Sequence, residues 1–240
     1  MKVLRIKAFQ ETACYKKPFS NKVTETYPLP PYSTVKGMIH AVLKADQYIP
    51  FALSIQGDYK NEIVDYRKTY FVKKHQFAMP IVMAGIEKDT PEYSTDLMSS
   101  MPIYTHMLHD INLVFHVKAE ASILENIYEA FCHLDSFISL GRHEDLVRID
   151  EVAFTELEEI NECEAVHSLY IPNKDIESKG TGIPYHLNWT YKIKKGIREW
   201  EKIPILFIAK DEELISNNFN SSIHVDDNEY PVFWNIRANE

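Results

Sequence analysis

The sequence predicts an α+β fold of the ferredoxin-like or RRM type, with a long insertion and a smaller β-rich extension at the C-terminus. Apolar residues recur at helical spacing in two segments, at about 33–45 and 122–138, and alternate with polar residues around them. The resulting order, β-α-β-β-α-β, is the one that a ferredoxin-like domain requires. A chain of 240 residues is long enough for such a domain and an extension.

The first predicted strand is Lys2–Phe9, where charged and apolar residues alternate. It is followed at 10–32 by a loop rich in lysine, proline and tyrosine. The last prolines of this loop prevent a helix from beginning earlier, because each fixes its own φ and restricts the residue before it. Ser33 is then a suitable N-cap, and the first helix is predicted at about 33–45.

Two further strands are predicted at 49–56 and 63–72, the second of them rich in aromatic residues. The strand pattern then dissolves between about 73 and 110, where prolines interrupt a methionine-rich segment. A structureless insertion of this length in a compact domain usually carries a function or is ordered by a partner.

Strand character returns at 111–118, and Ser122 with Glu125 forms a capping box that is predicted to open the second helix. That helix has an apolar face that continues to Ile138. The segment Leu146–Phe154 is predicted as the last strand of the domain, and the residues that follow are strand-like and rich in turns.

The predicted organisation is a domain at 1–159, which holds the insertion at about 73–110, followed by a β-rich extension at 160–240. No run of about eighteen apolar residues occurs, and the N-terminus alternates like a strand, so we expect neither a membrane span nor a signal peptide. The three cysteines lack the spacing of metal ligands, so we expect no metal site, cofactor or disulfide framework. A cytoplasmic location is the natural expectation.

The net charge of −9 is unevenly distributed along the chain. Residues 143–165 carry nine acids against Arg148, and residues 211–240 carry seven acids against Arg237, so the remaining chain is net positive. Such a chain can bind a short RNA locally, because affinity follows the phosphates that are contacted, although a solvated face gives the same pattern. The basic clusters are Lys16, Lys17 and Lys22; Arg67, Lys68, Lys73 and Lys74; and Lys192, Lys194, Lys195 and Arg198.

Two motifs stand out, TYPLPPYSTVKGM at 26–38 and SLGRHEDLVRI at 139–149. In the first, a proline-stiffened loop delivers a helix start whose backbone N–H groups, together with Lys36, form a suitable phosphate site, although an ordinary connection with a normal helix cap gives the same pattern. In the second, Gly141 precedes Arg142, a glycine and cation that also fit an ordinary turn at a helix end.

These motifs, with three later blocks, resemble the fifth family of CRISPR-associated (Cas) proteins, and most closely its type I-B branch. The resemblance implies a RAMP-superfamily domain in a type I Cascade complex of antiviral defence. It implies a non-catalytic subunit that caps the 5′ handle of the guide RNA (crRNA) and docks the large subunit and the first backbone subunit. Target DNA near the PAM is a further candidate partner. The three later blocks are Gly182–Leu187, Gly196–Glu201 and Tyr230–Phe233.

The resemblance also implies that Gly141 lets an RNA backbone approach closely while Arg142 contacts a phosphate. Glu144 and Asp145 would repel a phosphate, so we expect them to orient the arginine or to lie on a protein contact. The stretch from 66 to 75 interleaves rings and cations, as sites for single-stranded RNA often do. The full predicted RNA-binding set is Lys17, Lys22, Tyr32, Ser33, Thr34, Lys36, Arg67, Lys68, Lys73, Lys74, Met79, Gly141, Arg142 and His143.

By the same resemblance, residues 73–110 form a thumb that wedges against the kinked guide at its handle. Methionines such as Met79 and Met83 are suited to packing against bases, because their side chains are flexible and polarizable. The alternative is that they pack onto the large subunit.

An endoribonuclease that produces the guide, as in the type I-C branch, is the alternative function. Metal-independent cleavage needs a base, an acid and a cation. Tyr32, Lys36, His40 and His143 qualify by type, but the sequence does not place them together. The segment from His106 to Asp110 has weak metal-ligand spacing, which we do not interpret as a site. An RRM-like binding protein without a CRISPR role is a third possibility.

Overall fold

The computed structural model describes residues 1–20, 22–72, 98–176, 182–220 and 222–235, with the backbone alone at 72 and 98. Two α-helices are surrounded by thirteen strands in these ranges, and two short 3-10 helices lie at Asn173–Asp175 and Ser216–Asn218. The elements are β1 Lys2–Ala13, β2 Val23–Thr24, α1 Tyr32–Val42, β3 Ala52–Val72, β4 Met98–Lys118, α2 Ala121–Cys132, β5 Arg148–Glu156, β6 Glu158–Ile160, β7 Glu162–Glu164, β8 Ser168–Pro172, β9 Ile183–Lys194, β10 Ile197–Ile208, β11 Glu213–Ile215, β12 Ile223–Val225 and β13 Pro231–Val232.

The main sheet has the strand order β5-β1-β4-β3-β8-β10-β9, and every pair along it is antiparallel. The short strand β2 lies parallel to β4 beyond the end of β1. Two small sheets, β11-β7 and β13-β12-β6, complete the strand pairing among the described residues. The α+β class is therefore confirmed, and β8, β9 and β10 from the predicted extension join the main sheet.

The hydrophobic core lies between the two helices and one face of the main sheet. Ile6 of β1, Ile55 of β3 and Phe115 of β4 are fully buried there, with Ile39 of α1 and Ile127 of α2 packed over them. The segment from 222 to 235 packs on the sheet near its centre, where Asp226 accepts a hydrogen bond from Arg5 and the Pro231 carbonyl oxygen accepts one from Gln56. None of the helices in the described ranges is long and apolar enough to cross a membrane.

The first helix begins one residue earlier than predicted. Tyr32 is its first residue, and extended Pro31 is the N-cap in place of Ser33. The carbonyl oxygen of Pro31 accepts hydrogen bonds from the N–H groups of Thr34 and Val35, at 2.9 and 3.2 Å. Proline can start the helix without a capping side chain, because its fixed φ of −60° already suits the turn.

The second helix also departs from its predicted ends. It begins at Ala121 after Glu120, without a side-chain cap, so the predicted Ser122 capping box does not form. It ends at Cys132, and His133 leaves helical geometry with φ −123° and ψ 51°. Ile138 still packs against the core, but it does so from the loop that follows the helix.

The largest correction concerns the segment around the predicted insertion. The two strands predicted at 49–56 and 63–72 are one continuous strand, β3. Residues 98–110 belong to strand β4, not to a loop, and pair with β3 in one unbroken register from Ala52–Lys118 to Val72–Met98. Prolines did not end this strand, because a strand near a sheet edge tolerates them. The rest of the predicted thumb, 73–97, lies outside the described residues.

Candidate nucleic-acid interface

Strands β3 and β4 continue as a two-stranded hairpin beyond the body of the sheet. The pairing of β1 with β4 ends at Ala13–Leu108, whereas β3 and β4 run on together to Val72 and Met98. We call residues 62–72 and 98–108 the hairpin arm. Ten residues of strand correspond to a projection of about 33 Å.

One face of the hairpin arm carries exposed tyrosines. Tyr66 and Tyr104 are directly opposite each other, with ring centroids 5.4 Å apart and planes inclined by 52°. Tyr70, two residues further along β3 than Lys68, is 57% exposed, and the Lys68 ammonium lies 5.3 Å from the centre of its ring. Because alternate residues of a strand share a face, Tyr66, Lys68 and Tyr70 point to the same side.

Strand β2 brings a further lysine to the edge of this arm. Val23 pairs with Tyr104, and the Tyr104 N–H donates to the carbonyl oxygen of Lys22 at 2.9 Å. The Lys22 side chain is exposed. Arg67 lies on the other face of the arm and is exposed, but its Nε donates to Asp65 at 2.6 Å. Lys68 therefore supplies a cation on the tyrosine face, Lys22 adds an exposed cation at the edge of the arm, and Arg67 is partly neutralised.

Lys17 lies in the loop that connects β1 to β2. Backbone hydrogen bonds join the two sides of this loop, from Lys17 N–H to Glu25 and from Tyr27 N–H to Tyr15. The Lys17 ammonium is 3.2 Å from a Glu25 carboxylate oxygen, so this cation is also paired. Phe19, near the tip, is 97% exposed with φ 64°, a backbone region that is uncommon for a non-glycine residue.

The Gly141–Arg142 motif forms a tight loop against the end of β1. Gly141 has φ 111°, and a Cβ there would lie 2.9 Å from Asp145 Oδ2 and 3.2 Å from the Cys14 carbonyl oxygen. The glycine is thus required by the turn and by close packing on the protein itself. It lies well past the end of α2, so it is not the helix cap that the sequence also allowed.

The Arg142 guanidinium is held by two carboxylates. Its Nη2 donates to Asp145 Oδ1 at 2.6 Å, and its Nη1 lies 3.1 Å from Glu144 Oε1. Asp145 is buried, and its Oδ2 also accepts the Cys14 and Arg142 backbone N–H groups at 3.0 Å. The hydrogen bond with Asp145 raises the pKa of Arg142 above its usual value. The two acids orient the arginine, and a phosphate would have to compete with them for the guanidinium. The neighbouring His143 is exposed, and its Nδ1 lies 2.8 Å from Glu144 Oε2.

The start of α1 is buried in the core, not open to a ligand. Tyr32 is fully buried, 6.0 Å by ring centroids from Tyr170 and 6.4 Å from Trp189. The side chain of Lys36 donates to the Trp189 carbonyl oxygen, and its ammonium lies 4.4 Å from the indole centre. Burial lowers the pKa of Lys36. The predicted phosphate site is therefore occupied by protein, and of the residues predicted there only Ser33 and Thr34 remain partly exposed beside Lys36.

The candidate nuclease residues do not converge. His40 Nδ1 donates to the Lys36 carbonyl oxygen at 2.9 Å, and its Nε2 accepts the Ile49 N–H at 3.0 Å, so both ring nitrogens hold the backbone. Burial raises the pKa of Tyr32, whose hydroxyl has no hydrogen-bond partner among the described residues. His143 belongs to the loop against β1, whereas Tyr32 packs on β8 and β9.

Other predicted residues are placed as follows. His106 contacts Glu62, and His109 lies 3.0 Å from the side-chain oxygen of Asn61, so each histidine is paired across the arm. The part of the chain that the structure describes contains no group of three or more side chains suited to a metal ion. Lys73, Lys74 and Met79 lie outside the described residues.

Sequence reasoning missed the contribution of Tyr104. It fell within a segment interpreted as an insertion, although Ile103, Tyr104 and Thr105 are β-branched and aromatic residues that favour a strand. Tyr66 and Tyr70 were recognised as part of an aromatic stretch but not as binding residues. The pairing of β3 with β4 is what places the three rings on one face.

Comparisons with known proteins identify the family. No curated protein matches the chain. A solved structure described as "CRISPR RNA-guided surveillance complex" shares the fold, with a TM-score of 0.52, 14% identity and coverage of 90% of this chain and 92% of that chain. A CRISPR protein from Archaeoglobus fulgidus gives a TM-score of 0.48 at 7% identity, with coverage of 97% and 99%.

The family model described as CRISPR-associated protein (Cas_Cas5) matches residues 3–220, which is most of the chain. The resemblance seen in the sequence motifs is therefore confirmed at the level of the family, and this chain belongs to the CRISPR-associated protein (Cas_Cas5) family.

Proposed function

We propose that this chain is a non-catalytic subunit of a CRISPR RNA-guided complex and that its hairpin arm binds the 5′ handle of the guide RNA. The observation that carries the proposal is the exposed tyrosine and lysine face of the arm. Tyr66, Tyr70 and Tyr104 are 59%, 57% and 42% exposed, far more than tyrosines of a folded core. Membership of the Cas_Cas5 family makes a guide RNA the natural ligand for such a face.

The chemistry of this face suits an unpaired strand. Bases splayed out of a helix stack on aromatic rings, while lysines contact the phosphates between them. Lys68 lies beside the Tyr70 ring, and the Tyr66 and Tyr104 rings pair across the strands, so a cation–ring pair and a ring–ring pair follow each other along the arm. A strand laid along the arm would meet both pairs, and the chain continues from the arm into the predicted thumb with its own lysines.

The architecture suits the same role. We infer that β5-β1-β4-β3 with α1 and α2 is the predicted ferredoxin-like domain, since both the chain order and the antiparallel strand order agree with that plan. In this proposal, the strongly acidic surface around β6, β7 and β11 faces protein, because it would repel a phosphate backbone. The large and backbone subunits are the proposed protein partners.

The absence of catalysis is part of the proposal. Cleavage without a metal requires a base near the attacking 2′-hydroxyl. His40 would have to release two backbone hydrogen bonds to act, and Tyr32 is enclosed in the core. His143 is exposed, but Glu144 and Asp145 beside it would destabilise the negative charge that develops on a phosphorane.

Incubation of the purified protein with repeat RNA, with and without a chelator, tests this function. We expect the RNA to be bound and recovered intact over hours. Cleavage at one repeat position that is lost in His40→Ala or His143→Ala would establish the endoribonuclease alternative instead. Cleavage that neither change affects would come from a contaminating nuclease, and intact RNA without binding would remove the proposed function altogether.

A further inference from the structure

A second hairpin projects from the opposite end of the main sheet. Gln56 of β3 pairs with Leu169 of β8, which pairs with Ile208 of β10, so these three residues lie at one level of the sheet. From that level β3 extends sixteen residues to Val72, about 50 Å, and β10 extends eleven residues the other way to Ile197, about 35 Å. The end of this β9–β10 hairpin is therefore remote from the hairpin arm.

The tip of this hairpin, residues 191–200, is solvent-exposed and has a regular turn with side chains paired across the strands. Lys195 and Gly196 have φ of 51° and 76°, the geometry of a tight two-residue turn that matches the twist of the strands. Tyr191 and Trp200 pair across the strands with ring centroids 5.1 Å apart, and the Arg198 guanidinium carbon lies 4.7 Å from the Tyr191 ring centre. Local contacts therefore shape the tip, and among the described residues no other element covers it.

The tip combines positive charge with exposed apolar side chains. Ile193 and Ile197 are each 72% exposed. The tip carries four cations and a single acid, Glu199, which accepts a hydrogen bond from Lys194 at 2.8 Å. This local excess of positive charge occurs in a chain whose net charge is −9. The four cations are Lys192, Lys194, Lys195 and Arg198.

Cations and isoleucines occupy both faces of the tip. Ile193 pairs with Arg198 and therefore shares its face, whereas Lys194 pairs with Ile197 on the other face. A flat protein surface would cover one face and leave the other exposed. Lysine is also depleted at protein–protein interfaces. The groove of a nucleic-acid duplex has a negatively charged phosphate backbone on each side, so it would contact both faces at once.

We propose that the β9–β10 tip is a second nucleic-acid contact, which inserts into a groove of a duplex. A two-stranded β-ribbon fits the major groove of B-DNA, and isoleucine is one of the side chains that proteins insert between base steps in the minor groove. The cations contact the phosphates on the two walls, and the isoleucines lie against sugars or base edges. This contact is independent of the hairpin arm and of the handle that the arm is proposed to bind.

Binding of a labelled DNA duplex of arbitrary sequence, measured by fluorescence anisotropy over a series of salt concentrations, tests the proposal. The variant Lys192→Ala/Lys195→Ala/Arg198→Ala removes three cations and leaves the Lys194–Glu199 pair. We expect its affinity to fall at least about tenfold at low salt and the slope of log K against log salt to drop by about 2.7, or 0.9 for each lost phosphate contact.

The matched control is Lys2→Ala/Lys44→Ala/Lys210→Ala, which removes the same charge from exposed positions elsewhere. It should keep most of the affinity and the slope. A second variant, Ile193→Ser/Ile197→Ser, should lower duplex affinity about fivefold or more with the slope unchanged, because it removes apolar contact but no charge. Handle RNA binding should be unaffected in both tip variants, so a failure of this proposal is distinct from a failure of the proposed function.

Four results would overturn the proposal. One is an unchanged affinity and slope in the triple cation variant, and another is an equal loss in the control. The third is a single strand that binds more tightly than the duplex and depends equally on the tip. Loss of a protein partner from the assembled complex in the isoleucine variant, with duplex binding intact, would assign the tip to protein docking instead.

Discussion

Tyr66 of β3 and Tyr104 of β4 lie directly opposite each other on the hairpin arm, with their ring planes inclined by 52°, and each keeps more than two fifths of its surface exposed. A cross-strand aromatic pair stabilises a hairpin by about 0.2–1 kcal/mol. Contact through one face of each ring is enough for this stabilisation. The exposed ring surface on the other side is available to a ligand. This relationship connects the local stability of the arm to its proposed contact with RNA.

Replacing both tyrosines, Tyr66→Ala with Tyr104→Ala, should weaken binding of the guide handle RNA. A base stacked on an aromatic side chain is worth about 1–3 kcal/mol, so the loss should be at least about fivefold in affinity. Tyr48→Ala is the matched control, because Tyr48 is 52% exposed but stacks on His40 far from the arm. Equal losses in the two variants, measured by filter binding, would contradict a specific role of the arm.

Replacing Asp145 with Ala should destabilise the protein strongly. The change leaves the Cys14 N–H and the Arg142 guanidinium without their buried acceptor. We expect the free energy of unfolding to fall by about 3 kcal/mol in urea denaturation, as for other broken buried pairs. Asp150→Ala breaks the exposed pair with Arg148 and should cost under about 1 kcal/mol. Similar effects of the two changes would mean that Asp145 does not anchor this loop.

Two glycine substitutions should have opposite effects. Gly141→Ala places a Cβ against Asp145 and Cys14 at φ 111°, so it should lower the free energy of unfolding by more than about 1 kcal/mol. Gly37→Ala, on the open side of α1 with nothing within 4 Å, should raise it by about 0.5–1 kcal/mol. Thermal denaturation distinguishes the two. A stabilised Gly141→Ala protein would show that the loop does not require glycine.

A buried polar network should make stability depend on pH. His116 Nε2 donates to Asp226 Oδ2 at 3.0 Å, and Arg5 Nη1 donates to the same oxygen at 2.7 Å. Burial lowers the pKa of His116 despite the aspartate beside it. Burial alone would raise the pKa of Asp226, but the hydrogen bonds from His116 and Arg5 lower it well below its usual range.

Both shifts act in the same direction. His116 has a lower pKa in the folded than in the unfolded state, so stability falls as the pH drops below about 6.5. Asp226 stabilises the fold while ionised, and that contribution is lost as the pH falls below about 4. Urea denaturation across this range should show both steps, and His116→Gln should remove the first alone. A stability that rises on acidification from neutral pH would contradict this assignment.

Much of the fold follows from sequence pattern, because periodic burial leaves a strong signal. The first helix, the second helix and the strand β1 occur where apolar spacing predicts them, and the orientation of Arg142 by Asp145 follows from adjacent opposite charges. The ends of both helices were wrong by one to several residues. The sequence predicts helix starts from possible caps at Ser33 and Ser122, whereas tertiary packing decides the residue at which each helix begins.

The β4 strand of the hairpin arm was hidden for a different reason. Most of its residues at 99–107 are exposed or half-buried on both faces, so neither face shows the apolar alternation that marks a strand. The burial of Tyr32 was not predictable either, because a tyrosine at a helix start can pack in a core or contact a ligand. Its contacts with Tyr170 and Trp189, which are distant in sequence, place it in the core. Contacts between residues far apart in sequence decided both cases.

Ultraviolet cross-linking of the purified protein to the 5′ handle RNA, followed by peptide mapping, tests the central claim most directly. Aromatic rings that stack on bases are the side chains best placed to cross-link. The account predicts cross-links at Tyr66, Tyr70 and Tyr104, which disappear when an unlabelled handle RNA is added in excess. Cross-links confined to the loop of Gly141 and Arg142, or to the β9–β10 tip, with the arm unmodified, would contradict it.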